Sequence, residues 1–270
     1  MEEIFQATHS TPTPDRFQHI QYRMEGGVAR IKLNRPKFNN VLNIGMLEEI
    51  GAALEIISLN VDSKIVVFQG SDQAFSSGLD IADHTEEKAY QLLDAFHTIF
   101  RHLVELDAVS VSIVKGMALG GGCELAACCD FCLSAEDAKL GQPEIKAGIF
   151  PSVATVLYPR LIGLRRTYEM ILTGRIYGAK EAERIGLITR ALPPDGLDTE
   201  AERWVDFLRG FSAPVLRLAR QAISRSVDQP FEEALRGVEE VYLNQLMSTE
   251  DAKEGLQALL EKRKPDWKHR

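Results

Sequence analysis

Cysteine is scarce in this chain, with four residues in 270. All four fall between Cys123 and Cys132, too few and too close together to staple distant loops. Long apolar runs are also missing. The least polar stretch, 116–133, is interrupted by Glu124 and Asp130, and no segment reaches the ~18 uncharged residues a membrane helix requires. The opening residues, Met1-Glu-Glu-Ile-Phe5, hold acids where a secretory signal has bases, and no apolar core follows. Basic residues are outnumbered, 31 against 39 acids, for a formal charge of −8. A field of that sign repels phosphate backbones. These shortages argue against a disulfide-framed, membrane-spanning or nucleic-acid-coating protein. They predict a soluble cytoplasmic chain with reduced thiols and with neither membrane nor nucleic-acid partner.

What is present is an ordinary globular balance, 45 % hydrophobic and 26 % charged, over a length that suits one large domain with an appendage. Residues 1–15 are polar and carry Thr-Pro-Thr-Pro, which predicts a flexible arm. From His19 the chain alternates apolar and polar on both sides of Glu25-Gly26-Gly27, the pattern of a hairpin. Met46, Leu47, Ile50, Leu54 and Ile57 have helical spacing, and Ile65–Phe68 reads as a buried strand. The order then repeats. A loop over 70–83 leads to a helix over 86–106, a strand at Val111–Val114, a glycine run opening a short helix to Cys128, and a strand over 129–134. Such alternation predicts an α/β body with largely parallel sheets over 16–195. After Thr189 no further strand is expected. Helices are predicted at 200–210, 214–227, 231–247 and 250–262, making 196–270 a helical C-terminal region.

The most informative segment is Lys115-Gly-Met-Ala-Leu-Gly-Gly-Gly-Cys-Glu-Leu125. Glycines between a strand and a helix let backbone approach a ligand, because no Cβ intervenes. The helix that follows aims its free N–H groups at the same space, which suits an anion or an oxyanion. Glycines there also permit tight packing of strand on helix. The order Gly-x-Gly-x-x-Gly and a Gly-Lys-Ser/Thr ending are both absent, so the run is neither a dinucleotide fingerprint nor a P-loop. Glu124 sits in the first turn of that helix. It either complements the helix dipole or, beside Leu125, Ala126 and Ala127, is desolvated and ready for proton transfer. Glu144, in Gly141-Gln-Pro-Glu-Ile145, reads by itself as a solvated loop acid. Next to Glu124 and one oxyanion site it would complete an acid–base pair. The earlier loop, Ala74-Phe-Ser-Ser-Gly-Leu-Asp-Ile81, is either a turn with a helix cap or a second backbone donor facing the glycine run.

Phe75-Ser-Ser-Gly-Leu-Asp-Ile81, Ala118-Leu-Gly-Gly-Gly-Cys-Glu-Leu125 and Gly141-Gln-Pro-Glu-Ile145 together resemble the enoyl-CoA hydratase/isomerase (crotonase) superfamily. The resemblance runs from Ile31-Lys-Leu-Asn-Arg-Pro-Lys37 to Glu261-Lys-Arg-Lys-Pro265, with support from Leu172-Thr-Gly-Arg175 and the Ala179–Leu187 segment. It implies a ββα superhelix whose C-terminal helices build a homotrimer or a homohexamer. It implies a thioester carbonyl held by the amides of Leu79 and Gly121, and the hydratase glutamates at Glu124 and Glu144. Coenzyme A contacts are implied at Lys37, Asp80, Ile81 and Gly120. In the reaction so implied, the hole makes Cβ of an enoyl-CoA electrophilic, Glu124 activates water and Glu144 delivers the α-proton. Coenzyme A is part of the substrate, and no separate cofactor is needed.

Where many relatives carry a glycine-rich stretch with Gln-Arg, this chain has Ile149-Phe-Pro-Ser-Val-Ala-Thr-Val-Leu-Tyr-Pro159. Phe150, Val153 and Tyr158 are expected to line the acyl pocket and shape it for a flat or cyclic group. Together with Val41–Glu49, the stretch resembles hydratases of alicyclic dienoyl-CoA thioesters. The cysteines lack paired Cys-x-x-Cys units and read as core, so no metal is expected. His84, His97 and His102 read as helix-surface or packing residues. The basic end, 262–270, is a solvated terminus or, by the resemblance, lies near the phosphates of coenzyme A. Double-bond isomerisation and non-catalytic acyl-CoA binding stay open as alternatives.

Overall fold

The computed structural model describes residues 17–270, so the arm expected at 1–15 lies outside the described residues. The expected hairpin forms. Strands β1 (Ile20–Glu25) and β2 (Val28–Leu33) pair antiparallel across Gly26 and Gly27, whose φ angles of 55° and 77° lie where side chains are strained. Helix α1 (Ile44–Leu59) starts where the Asn43 side chain accepts the Met46 amide at 3.1 Å, satisfying one of the orphan donors of the first turn. It buries Met46, Leu47, Ile50, Leu54 and Ile57, the stripe seen in the sequence.

The chain then repeats one unit, two strands followed by a helix. The first is β3 (Ile65–Gln69), β4 (Ala74–Ser76) and α2 (Ala89–Glu105). Next come β5 (Val109–Val114), β6 (Met117–Leu119) and α3 (Gly121–Cys128), and then β7 (Phe131–Ala135), β8 (Lys139–Gly141) and α4 (Ser152–Thr173). A shorter turn adds β9 (Ile176–Gly178), α5 (Ala179–Arg184) and β10 (Arg190–Leu192). The long strands form a six-stranded sheet in the order β1-β2-β3-β5-β7-β10, and the short ones a four-stranded sheet, β4-β6-β8-β9. Pairing along β2-β3-β5-β7 and along β4-β6-β8 is parallel, so each unit advances both sheets by one position. The result is a ββα spiral.

All six residues of β5 and the first four of β3 are buried, so both strands are covered on both faces, and β3 accordingly reads as a continuous apolar run. Two serines in β5 are buried but satisfied: Ser112 donates to the Ala126 carbonyl at 2.8 Å, and the Ser110 hydroxyl donates to Asp130 at 2.9 Å. Cys123, Cys129 and Cys132 are buried in the core and Cys128 half-buried, all as free thiols. Burial pushes the thiols of Cys123, Cys128 and Cys132 up to about 12.

Three parts of the sequence reading need correction. A strand does follow Thr189: β10 pairs parallel with β7, Arg190 opposite Leu133. Three residues cannot display a period of two, and the pairing comes from tertiary contact. The stretch 152–159, expected to line the acyl pocket, instead opens α4, a long helix that contains Pro159 and breaks at Gly163 (φ 75°, ψ 158°). Those two residues conceal its periodicity. The helix expected over 231–247 ends as α8 (Phe231–Glu240), and the chain continues as a π turn, Val241–Gln245, and a 3₁₀ turn, Leu246–Ser248.

The remaining C-terminal helices are α6 (Leu197–Arg209), α7 (Ala213–Ser226) and α9 (Glu250–Glu261). The basic end folds back onto them. Buried Asp251 accepts the amides of Lys268 at 2.7 Å and His269 at 3.0 Å, and the Trp267 indole donates to the Gly210 carbonyl at 3.0 Å. No described helix is long and apolar enough to cross a membrane.

Candidate active-site cleft

The loop before α1 locks the loop after β4. Leu42 donates its amide to the Gly78 carbonyl at 2.8 Å, and Asp80 donates to the Leu42 carbonyl at 2.9 Å. Successive amides of extended backbone point to opposite sides, so the Leu79 amide between them points away from Leu42. It donates to no group among the described residues. Buried Asn40 ties the base of both loops, accepting the Arg35 amide and donating to the Ala74 carbonyl, each at 2.9 Å.

Glycines bring this loop against the β6–α3 junction. Gly78 has φ +105°, and a Cβ there would stand 3.0 Å from the Leu119 carbonyl oxygen and 3.6 Å from the Gly121 nitrogen. Gly121 opens α3. Its amide is an orphan of the first helical turn and has no acceptor among the described residues. Two unpaired amides, Leu79 and Gly121, therefore belong to loops in direct contact. Gly120 has φ +51°, and a Cβ there would collide with Glu144 Oε1.

Glu124 projects from α3 and is only 1 % exposed. Its Oε1 accepts the Ala154 amide, in the first turn of α4, at 2.6 Å. Burial pushes its carboxyl up to about 8; the Ala154 hydrogen bond opposes that rise and the nearby Glu144 charge adds to it. Glu144 opens a 3₁₀ turn, Glu144–Ala147, and burial pushes it up to about 7. Like charges in one desolvated site resist double ionisation, so the pair keeps a proton at neutral pH.

Both carboxylates line a cleft of about 350 Å³ whose walls are otherwise mainly apolar, including Leu79, Ile81, Leu93, Ile149 and Phe150. Of the residues expected at the site, Leu79, Ile81, Gly120, Glu124, Glu144 and Phe150 line it, and Gly121 lies directly behind, under Leu79 and Phe96. Lys37 is exposed on a 3₁₀ turn, Pro36–Phe38, and does not reach it. Asp80 caps the 3₁₀ turn Ile81–Asp83 by accepting the Ala82 amide at 3.1 Å, and it too is absent from the walls.

Val153 and Tyr158 do not line the cleft either. Because α4 begins at Ser152, only 149–152 face the opening, while Val153 packs on the core and Tyr158 is fully buried. Conversely, His84, Leu93, Lys146 and Ser152 line the cleft and were missed. Leu93 carried a signal: it is an apolar residue of α2 outside the stripe Leu92, Phe96, Ile99, Leu103 that faces the core. His84, placed by the Asp80 carbonyl 3.1 Å from its Nδ1, carried none.

A second depression, of about 450 Å³, is lined by Lys32, Gln69, Asp72, Lys115 and Asp198. Lys115 there is paired with Asp72 at 2.9 Å and Asp198 at 2.7 Å, and it holds the Asp72 carboxyl below its usual range. Among the described residues, no three His, Cys, Asp or Glu side chains gather closely enough to hold a metal ion.

Comparison with known proteins places the chain in a family. A family model described as enoyl-CoA hydratase/isomerase matches residues 23–270. A probable enoyl-CoA hydratase of Rhizobium meliloti is 37 % identical over 259 residues, covering 94 % of this chain and 99 % of that protein. The cyclohexa-1,5-dienecarbonyl-CoA hydratase of Thauera aromatica is 33 % identical over 250 residues, covering 91 % and 95 %. The crystal structure of an enoyl-CoA hydratase subunit from Geobacillus kaustophilus aligns with a TM-score of 0.88 at 34 % identity, covering 94 % of this chain and 99 % of that one.

Proposed function

The chain belongs to the enoyl-CoA hydratase/isomerase family and is an enzyme of the hydro-lyase kind; from that premise we propose that it adds water across the α,β double bond of an enoyl-CoA thioester in the Glu124–Glu144 cleft. The observation that carries this reading is the pairing of two carboxyls, raised to about 8 and about 7, in one apolar cleft. Syn addition of water needs an acid and a base on one face of a flat substrate, and a pair that shares a proton at neutral pH supplies both. The thioester oxygen rests between the amides of Leu79 and Gly121, where the enolate charge develops. Each such donor is typically worth about 10²–10³ in rate.

One carboxylate takes a proton from the water as it attacks Cβ, and the other carboxyl protonates Cα. The sequence reading gave Glu144 the α-proton and Glu124 the water. Burial raises both carboxyls, so the proton belongs to the pair, and a water touching both groups can deliver it to either before the addition. Coenzyme A enters with the substrate, so the addition consumes no separate cofactor.

The apolar rim, with Phe150 67 % and Ile81 79 % exposed, suits a flat or cyclic acyl group, and the Thauera aromatica relative supports that choice. Exposed Phe231, Leu243, Leu259 and Leu260 in the C-terminal region support assembly into a trimer or hexamer, which light scattering would test. The free thiols suit a cytoplasmic setting. The deciding experiment incubates the protein with straight-chain and cyclic enoyl- and dienoyl-CoAs and weighs the products. Gain of one water is expected, with preference for a cyclic member. Unchanged mass with a moved double bond would replace hydration by isomerisation, and no turnover with binding intact would leave acyl-CoA binding alone.

A further inference from the structure

Behind Glu144 lies a chain of fully buried polar groups that the reaction above does not use. Gln142, Tyr158 and Cys123 are each at most 0 % exposed. The Gln142 amide satisfies its surroundings in one orientation: its nitrogen donates to Glu144 Oε1 at 3.1 Å and Oε2 at 3.2 Å, and its oxygen accepts the Tyr158 hydroxyl at 2.6 Å. Turned over, it would present its oxygen to the Glu144 carboxylate and its nitrogen to Tyr158. The Tyr158 hydroxyl also lies 3.2 Å from Cys123 Sγ, on α3 immediately before Glu124.

Sulfur accepts hydrogen bonds weakly. The hydroxyl proton of Tyr158 therefore favours the amide oxygen over Cys123, and that preference turns the amide nitrogen toward Glu144. We infer that Tyr158 is a positioning residue, setting the Gln142 amide so that its NH₂ group holds the Glu144 carboxylate. The other charged or titratable groups around Glu144 are Glu124 from α3, His84 from the loop before α2 and Lys146 on its own turn, all lining the same cleft. Tyr158 and Cys123 reach it only through Gln142.

The inference rests on the proposed role of Glu144 for its kinetic consequence, but the hydrogen-bond chain can be tested without turnover. In protein carrying ¹³C-carboxyl glutamate, NMR follows the Glu144 titration, assigned by the signal lost in Glu144→Gln. Gln142→Leu removes the donor to the ionised form and should raise the midpoint by about one unit. Tyr158→Phe, which keeps the ring and its packing, should raise it by less, and the double variant should match Gln142→Leu alone. Cys123→Ala leaves the amide oxygen as the only acceptor for Tyr158 and should not raise it. In parallel, Tyr158→Phe should lower kcat for crotonyl-CoA hydration about two- to tenfold with KM little changed. An unmoved midpoint in Tyr158→Phe, shifts that add in the double variant, or a rise in Cys123→Ala would overturn the inference. Titration shifts as expected in a protein that hydrates no enoyl-CoA would instead overturn the hydratase reading and leave the positioning chain standing.

Discussion

Glu124 and Glu144 share one cleft on unlike supports. Glu124 rides a helix of 8 residues, 7 of them buried, and its carboxyl is pinned by the Ala154 amide. Glu144 opens a 3₁₀ turn of 4 residues, and the chain from Ile145 to Phe150 is exposed. Both carboxyls are nevertheless raised by desolvation. A proton affinity near neutrality can thus be built in two ways: by embedding the acid in the core, or by setting a surface turn against buried partners. The first fixes geometry. The second makes the acid's position depend on a short turn and on the partners behind it.

The largest test of this contrast removes either carboxyl. Glu124→Gln and Glu144→Gln should each lower kcat by about 10²–10⁴ while acyl-CoA affinity, measured by titration calorimetry, stays near that of the parent. Near-normal hydration by both variants would break the assignment. Gly120→Ala strikes Glu144 most directly, since its Cβ would meet Oε1, and it also strains the start of α3 on backbone at φ +51°. A displacement of that kind typically costs about 10² in kcat, and a Glu124-dependent property, such as the stability effect below, should survive it.

Phe150→Ala should raise KM about tenfold for cyclic substrates and less for crotonyl-CoA, with kcat nearly kept. Equal effects on both substrates would remove Phe150 from acyl selection. The smallest expected effect concerns stability. The Glu124 carboxyl titrates near 8 in the fold against an ordinary 4.5, so between those values the native state holds a proton that the unfolded chain has released. The stability this confers is present below 4.5 and is lost as pH rises toward 8. Glu124→Gln escapes that loss, so its melting temperature should exceed the parent's by several degrees near pH 8, at about 2–4 °C per kcal/mol for a chain of this size. By pH 4 the difference should vanish.

Long elements and glycine-marked junctions were legible in the sequence. The α1 stripe, the buried runs of β3 and β5 and the Gly120–Gly122 junction all carry their structure locally, in spacing or in the lack of Cβ. Short strands were not legible, because three residues such as Arg190–Leu192 become a strand only when β7 offers its edge. The start of α4 was hidden by Pro151, Pro159 and Gly163, and that error displaced Val153 and Tyr158 into the cleft on paper. Tyr158 shows why such errors cluster. Its identity suggested a pocket wall, whereas its location, one layer behind the wall, depends on a helix boundary that composition does not reveal.

Among the described residues, the cleft is lined only by chain between Ser77 and Ser152, carried by successive turns of the spiral. Neither the N-terminal hairpin nor helices α6 to α9 contribute to its walls. During vectorial synthesis the whole site would therefore have left the ribosome before the C-terminal helices were made, and it would wait for them. Substitutions in those helices that spare the basic end should therefore lower stability more than they change selectivity among acyl groups.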